Sequence, residues 1–209
     1  MKLFYSPGAC SLSPHIVLRE LGLPFELERV DTKAGKTERG TDFLTVNPKG
    51  FVPVLELDDG RRITEAAIIL QYLADLRPEA KLAPPPGTFE RIRLQEWLNF
   101  IASDLHKLIG SLFQQQMPDA WREYTKGQIA KRLDYVAKEL EGKTWLFGEQ
   151  YTVADAYLFV VLRWTRGLDV ELGKWPTLSA YFRRIRGRPA VEAAVNAEMA
   201  KPAGGAKSA

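Results

Sequence analysis

The chain carries one thiol, Cys10, and two imidazoles, His15 and His106. These are the side chains with nucleophilic or proton-transfer chemistry available near neutral pH. Cys10 lies between an apolar run, Lys2-Leu3-Phe4-Tyr5, that reads as a strand and a segment that reads as a helix start. Ser13 suits an N-cap, Pro14 the first helical position, and Ile16, Val17, Leu18 and Leu21 an apolar face. A sulfur just ahead of a helix meets unpaired N–H groups and the positive end of the helix dipole, both of which favour thiolate. A thiol of pKa ~8.5 is only about 3% ionised at pH 7; lowering it to ~6.5 gives roughly 75% and takes ~2.7 kcal/mol. One hydrogen bond to the charged sulfur (~1.5–3 kcal/mol) and a helix dipole (~0.3–1 kcal/mol) suffice. The competing reading is a small buried hydrophobe, and residue type leaves both open.

His15, on the first helix, reads as a packed or surface residue. His106 belongs to a long helix over 89–116 with a core stripe of Leu94, Trp97, Leu98, Ile101, Leu105, Leu108 and Leu112. At 100° per residue, Asn99, Ser103, His106 and Gly110 fall within about 60° of one another on the opposite side. That face is either solvated or the wall of a cleft. One cysteine and two histidines at unrelated spacing make a poor ligand set, so no metal is expected.

Two units must position these groups. Residues 1–80 read strand–helix–strand–helix–strand–strand–helix, and 88–200 read as helices only. In the first unit Phe25–Val30 alternates as a strand, 31–41 is a polar loop, and a short helical stretch near 42–46 follows. Val52–Leu57 is a strand, Asp58-Asp59-Gly60 a hairpin turn, Arg61 the start of the next strand, and Ala66–Leu76 a helix. Pro53 removes a ladder donor, which fits either an edge strand or a cis-proline that frees neighbouring backbone for an extended ligand. The segment 77–88 is a proline-rich linker. Helices then run over 89–116, 120–141, 153–166, 177–187 and 190–199, and 201–209 reads as a disordered tail. Thr152 with Asp155 forms a capping box ahead of an apolar helix, a folding signal.

Composition is that of a globular protein, 45% hydrophobic and 26% charged. Residues 1–80 hold 10 basic and 12 acidic side chains, and 81–209 hold 19 and 14. The densest basic run, Arg183-Arg184-Ile185-Arg186-Gly187-Arg188, has no interleaved aromatics and reads as a solvated helix face, so nucleic acid is not an expected partner. No targeting or membrane-spanning pattern is present and a single cysteine excludes an internal disulfide, which fits a cytoplasmic protein with no membrane partner.

Val52-Pro53-Val54-Leu55, Thr64-Glu65-Ala66, the proline-rich linker and Thr152-Val153-Ala154-Asp155 together resemble the cytosolic glutathione transferases. Ser6-Pro7-Gly8-Ala9-Cys10-Ser11-Leu12-Ser13-Pro14-His15 and the stretch from Trp97 to Lys107 resemble the bacterial beta class, over about residues 1–199. The resemblance implies a thioredoxin-like (α/β) N-terminal domain, an all-α second domain with an apolar pocket, a homodimer, and glutathione as co-substrate. It implies that Val52 and cis-Pro53 hold the cysteinyl part of glutathione, that Glu65 and Ala66 hold its γ-glutamyl end, and that Cys10 lies beside its sulfur. Asn99, Ser103, Asp104 and His106 match positions that close the pocket, some from the partner subunit. Relatives commonly have serine or glycine where Ala66 stands, and a glutathione-contacting lysine where Gly35 stands; Lys36 or Lys33 is the substitute. The implied activity joins the glutathione thiol to a small apolar electrophile, with Cys10 and His106 catalytic and Leu112, Phe113, Trp164 and Leu168 as candidate pocket residues. Thiol–disulfide exchange or peroxidase chemistry through Cys10 is a side activity the resemblance allows. A non-catalytic interaction protein of the same fold is the alternative.

Overall fold

The computed structural model describes residues 1–200; the tail expected to be disordered lies outside the described residues. β1 (Lys2–Tyr5) and β2 (Glu26–Asp31) are parallel, and α1 (Leu12–Glu20) supplies the crossover that a parallel pair requires. β3 (Lys36–Thr37) and a single helical turn, α2 (Phe43–Val46), come next; the Asp42 side chain caps that turn at the Leu44 N–H. β4 (Val54–Glu56) and β5 (Arg62–Thr64) form a hairpin leading into α3 (Ala66–Asp75). The sheet order is β3-β2-β1-β4-β5, antiparallel except at β1–β2. Strand alternation sorts the side chains to two faces. Leu3 and Leu55 join α1 and α3 in the main core, whereas Phe4, Val30 and Val54 pack on the other face against Phe43 and Val46.

From Phe89 onward the elements are helices: α4 (Phe89–Phe100), a π-turn at Ile101–Leu105, α5 (His106–Ser111), α6 (Asp119–Glu139), α7 (Val153–Trp164), α8 (Pro176–Arg186) and α9 (Pro189–Met199). α7 is buried from Val153 through Leu162, which is why it is apolar on every side rather than on one stripe. The Thr152–Asp155 capping box forms as the sequence indicates.

Three expectations shift. α1 begins at Leu12, not after Ser13, and Ser13 Oγ donates to the Cys10 carbonyl instead of capping. Part of the segment read as loop, Lys36–Thr37, pairs with the edge of β2. The long helix is interrupted at residue 101 and ends at Ser111. Pro53 precedes β4, and the Val52–Pro53 bond is cis.

Candidate active site

Cys10 sits in a tight loop between β1 and α1 that is fixed by side chains from α7 and α9. Gly8, at φ +72, has a backbone conformation that side chains other than glycine's rarely adopt. Its N–H donates to Glu198 Oε2 at 2.8 Å, and its carbonyl accepts from Trp164 Nε1 at 2.8 Å. Glu198, on α9, also holds His15 Nδ1 at 2.9 Å, while His15 Nε2 accepts from Arg19 Nε at 2.9 Å. An Nε2 that accepts must be unprotonated, so His15 is the neutral tautomer that donates from Nδ1. It is fully buried and structural.

The sulfur itself turns toward β4. Cys10 Sγ donates to the Val52 carbonyl at 3.3 Å, a contact that only the protonated thiol can make. Burial pushes the thiol up to about 11, against the lowering pull of the Cys10 and Ser11 N–H groups. The helix dipole, worth ~0.3–1 kcal/mol, is the smaller effect. Of the two readings the residue type leaves open, the hydrogen bond to Val52 and the burial favour a neutral S–H in the free protein.

His106 enters the same space because of the π-turn. Its N–H bonds to Ile101 O, five residues back, which adds a residue to the turn and rotates the helix after it. His106 and Ala102 consequently face Cys10, whereas Asn99 and Ser103 remain exposed. The 100° projection that grouped Asn99, Ser103 and His106 fails at that turn. His106 Nδ1 lies 2.8 Å from Tyr157 Oη. Burial, which lifts the Tyr157 phenol, keeps that group protonated; as the donor to Nδ1 it leaves the imidazole N–H on Nε2. Burial, with Lys107 nearby, lowers His106 to about 4.

Nitrogen NMR of His106 should accordingly show a neutral Nε2–H ring down to pH 5, where an ordinary histidine is protonated. Between about pH 6.5 and 4 the unfolded chain binds a proton at this site that the folded chain does not. This contribution to stability is present above pH 6.5 and lost as pH falls through 4; His106→Gln should flatten that part of the stability profile.

Facing Cys10 and His106 is a narrow cavity of about 220 Å³ whose walls include Val52, Pro53, Glu65, Ala66 and Tyr157. The Val52 N–H has no acceptor among the described residues. Glu65 sits at the N-cap of α3 with φ 69, a strained conformation for a non-glycine residue that costs about 1–3 kcal/mol. Its Oε1 accepts from Lys49 Nζ at 2.6 Å. The first N–H groups of α3 open on the same space.

Thus Cys10, Val52, Pro53, Glu65, Ala66 and His106 are brought together. Lys36 is exposed on β3 and, like Lys33, lines neither this cavity nor the wider one beside it. Asp104 accepts from Arg132 Nε at 3.1 Å, and Ser103 Oγ donates to the Asn99 carbonyl. Lys49, Lys107 and Tyr157 line the cavity without having been singled out from the sequence. Tyr157 had one usable signal, a hydroxyl in an otherwise apolar helix.

The wider cavity, about 990 Å³, shares Cys10, Phe51, Val52 and His106 with the narrow one and opens between the sheet unit and α7–α9. Phe113 and Trp164 line it, whereas Leu112 and Leu168 are buried and do not. A small cleft thus meets a larger one, lined by aromatic and arginine side chains, at a protonated thiol and a neutral imidazole. That arrangement suits a thiol-bearing peptide on one side and an apolar reaction partner on the other. Among the described residues no helix is long and apolar enough to cross a membrane.

Comparison with known proteins agrees with this geometry. Residues 8–76 match the family described as glutathione S-transferase, N-terminal domain, and residues 100–189 match glutathione S-transferase, C-terminal domain. The chain is 44% identical to glutathione S-transferase GstA of Escherichia coli O157:H7, over 96% of this chain and 100% of that one. A bacterial beta class glutathione S-transferase of Sphingomonas chungbukensis superposes with a TM-score of 0.92 at 46% identity, covering 95% of this chain and 99% of that one. A sphingomonad glutathione S-transferase complexed with glutathione superposes with a TM-score of 0.92 at 45% identity, covering 95% and 98%. The non-catalytic reading draws no support from these relatives.

Proposed function

The chain belongs to the glutathione S-transferase family, in its bacterial beta class, and from that premise we propose how its two cavities divide the reaction. Glutathione occupies the narrow cavity as co-substrate and an electrophile with an apolar body the wider one. The observation that carries this reading is the convergence of Cys10, His106, Val52 and Glu65 on one space that opens into a larger apolar one.

The Val52 N–H and C=O pair with the cysteinyl backbone of the tripeptide, as an added strand does. The Glu65 carboxylate takes the γ-glutamyl ammonium, and the first N–H groups of α3 take its carboxylate. Lys49 and Lys107 supply positive charge in the wall, in the place of the expected Lys36. Asn99, Ser103 and Asp104 lie outside the cavity of their own chain; in a homodimer they close the site from the subunit interface. A cytoplasmic location fits a free thiol and a glutathione co-substrate.

The chemical demand is a glutathione thiolate at neutral pH. Moving a thiol from ~8.5 to ~6.5 takes ~2.7 kcal/mol, and a hydrogen bond to a charged group contributes ~1.5–3 kcal/mol. Two donors face the sulfur's position: Cys10 S–H, released from Val52 as the peptide takes that carbonyl, and His106 Nε2–H. With Cys10 near 11 and His106 near 4, neither changes protonation state between pH 5 and 9. The thiolate attacks the electrophilic carbon, a carbon–sulfur bond forms, and the leaving group departs with its electron pair. This assignment places conjugation ahead of thiol exchange, which would require Cys10 itself to ionise.

Calorimetry with reduced glutathione should give saturable heat, and a chromogenic aryl halide should turn over only with glutathione present. Glu65→Gln should weaken glutathione binding by at least about tenfold, the loss of one charge-assisted hydrogen bond. Absence of both heat and turnover at millimolar glutathione would overturn the assignment.

A further inference from the structure

The wider cavity is not uniformly apolar. Arg163 and Arg166, at the end of α7 and just beyond it, and Arg186, at the end of α8, all line it, together with Phe113, Trp164 and Phe182. No carboxylate among the described residues lies within 4 Å of any of the three guanidinium groups, and the wall contains no Asp or Glu. Elsewhere Arg62, Arg132 and Arg188 each hold a carboxylate. The acidic side chains nearest this wall turn elsewhere: Glu171 and Glu192 line adjoining clefts rather than this one. Glu198, beside the cavity-lining Met199, is buried and holds His15 and the Gly8 N–H, and Asp169 lies 3.8 Å from Lys126. Arg163 is half-buried and packs against the loop that carries Cys10: a Cβ built on Gly8 would stand 3.1 Å from its Nη1.

Like charges concentrated in a concave, low-dielectric wall attract anions, and guanidinium groups match carboxylate or sulfonate oxygens in pairs. Aromatic rings beside them fit the apolar body of the same molecule. Resting on the transferase reading above, we propose that the preferred electrophile is an anion: an aryl or alkenyl compound bearing a carboxylate or sulfonate. Arg163 holds the headgroup near the reacting centre, and Arg166 and Arg186 draw it in from solvent.

A matched pair tests this: 4-chloro-3-nitrobenzoate and its neutral amide, 4-chloro-3-nitrobenzamide, each corrected for its uncatalysed rate with glutathione. The corrected kcat/KM should favour the acid by about tenfold or more at low ionic strength, and the preference should shrink as salt is added. Arg163→Gln should cut the acid-to-amide ratio by about tenfold. Because Arg163 packs on the Gly8 loop, the doubly substituted Arg166→Gln/Arg186→Gln protein, altered only at exposed residues, provides a second reading of the same ratio and should lower it severalfold. Glutathione-dependent turnover of both compounds with no preference for the acid, or a preference untouched by all these substitutions, would overturn the anion assignment while leaving the transferase reading intact. Absence of glutathione-dependent turnover with either compound would overturn both.

Discussion

Alkylation of Cys10 by iodoacetamide in the glutathione-free protein should accelerate about tenfold per pH unit, close to 10³-fold from pH 7 to pH 10, without a plateau. Only the thiolate reacts, and a sulfur near 11 is ionised in roughly one molecule in 10⁴ at pH 7. A thiol activated to ~6.5 would already be about 75% thiolate at pH 7 and would gain less than twofold above it. The chain has no second cysteine, so the mass of the alkylated protein reports this site alone. A flat profile above pH 7.5 would show that the Val52 carbonyl does not hold the proton and would return thiol exchange to the leading role. Exchange of the Cys10 thiolate with oxidised glutathione, which forms the mixed disulfide and expels one reduced glutathione, should follow the same profile, and Cys10→Ala should abolish the adduct.

The largest loss of stability is expected from Asp155→Ala. Its carboxylate is buried and accepts four hydrogen bonds: from Thr152 N at 2.8 Å, Thr152 Oγ1 at 2.9 Å, Leu146 N at 3.0 Å and Tyr181 Oη at 2.8 Å. These donors tie the start of α7 to the preceding loop and to α8. Alanine strands them in the core at about 1–3 kcal/mol per unsatisfied group, so a total near 4 kcal/mol is expected even after water enters. Urea denaturation should show a lower midpoint at similar slope. Asp155→Asn, which retains acceptor capacity on one oxygen, should lose roughly half as much. A change below 1 kcal/mol for the alanine variant would mean that the capping box is dispensable.

Much of this fold is written locally. The alternation of β2, the Asp58-Asp59-Gly60 turn and the Thr152–Asp155 box are short-range signals, and each led to the element found. The start of α1 carries no clear local mark, because Ser11 makes no side-chain cap and a proline at the third helical position looks like one at the first. The π-turn leaves no mark in the apolar spacing: Ile101, Leu105 and Ile109 continue the stripe across it, while the polar face is displaced. The proposed site was half legible. Cys10, the Val-Pro pair and Glu65 stand in motifs, but Tyr157, Arg163, Arg166 and Arg186 acquire meaning only when α7 and α8 pack beside the Cys10 loop. The arginine run from 183 to 188 illustrates why a solvated-face reading was too coarse. Arg186 lines the cavity, Arg184 Nη1 donates to the Thr144 carbonyl, and Arg188 reaches Glu20 at 2.7 Å.

The loop that carries the sulfur is finished by residues made long after it. Gly8 leaves the ribosome early, but Trp164 and Glu198, its two hydrogen-bond partners, are translated more than 150 positions later. A nascent chain halted before α9 would contain all five strands of the sheet but lack one of the two anchors of the Cys10 loop. The segment around Cys10 is therefore fully tethered only in a chain that extends past Glu198.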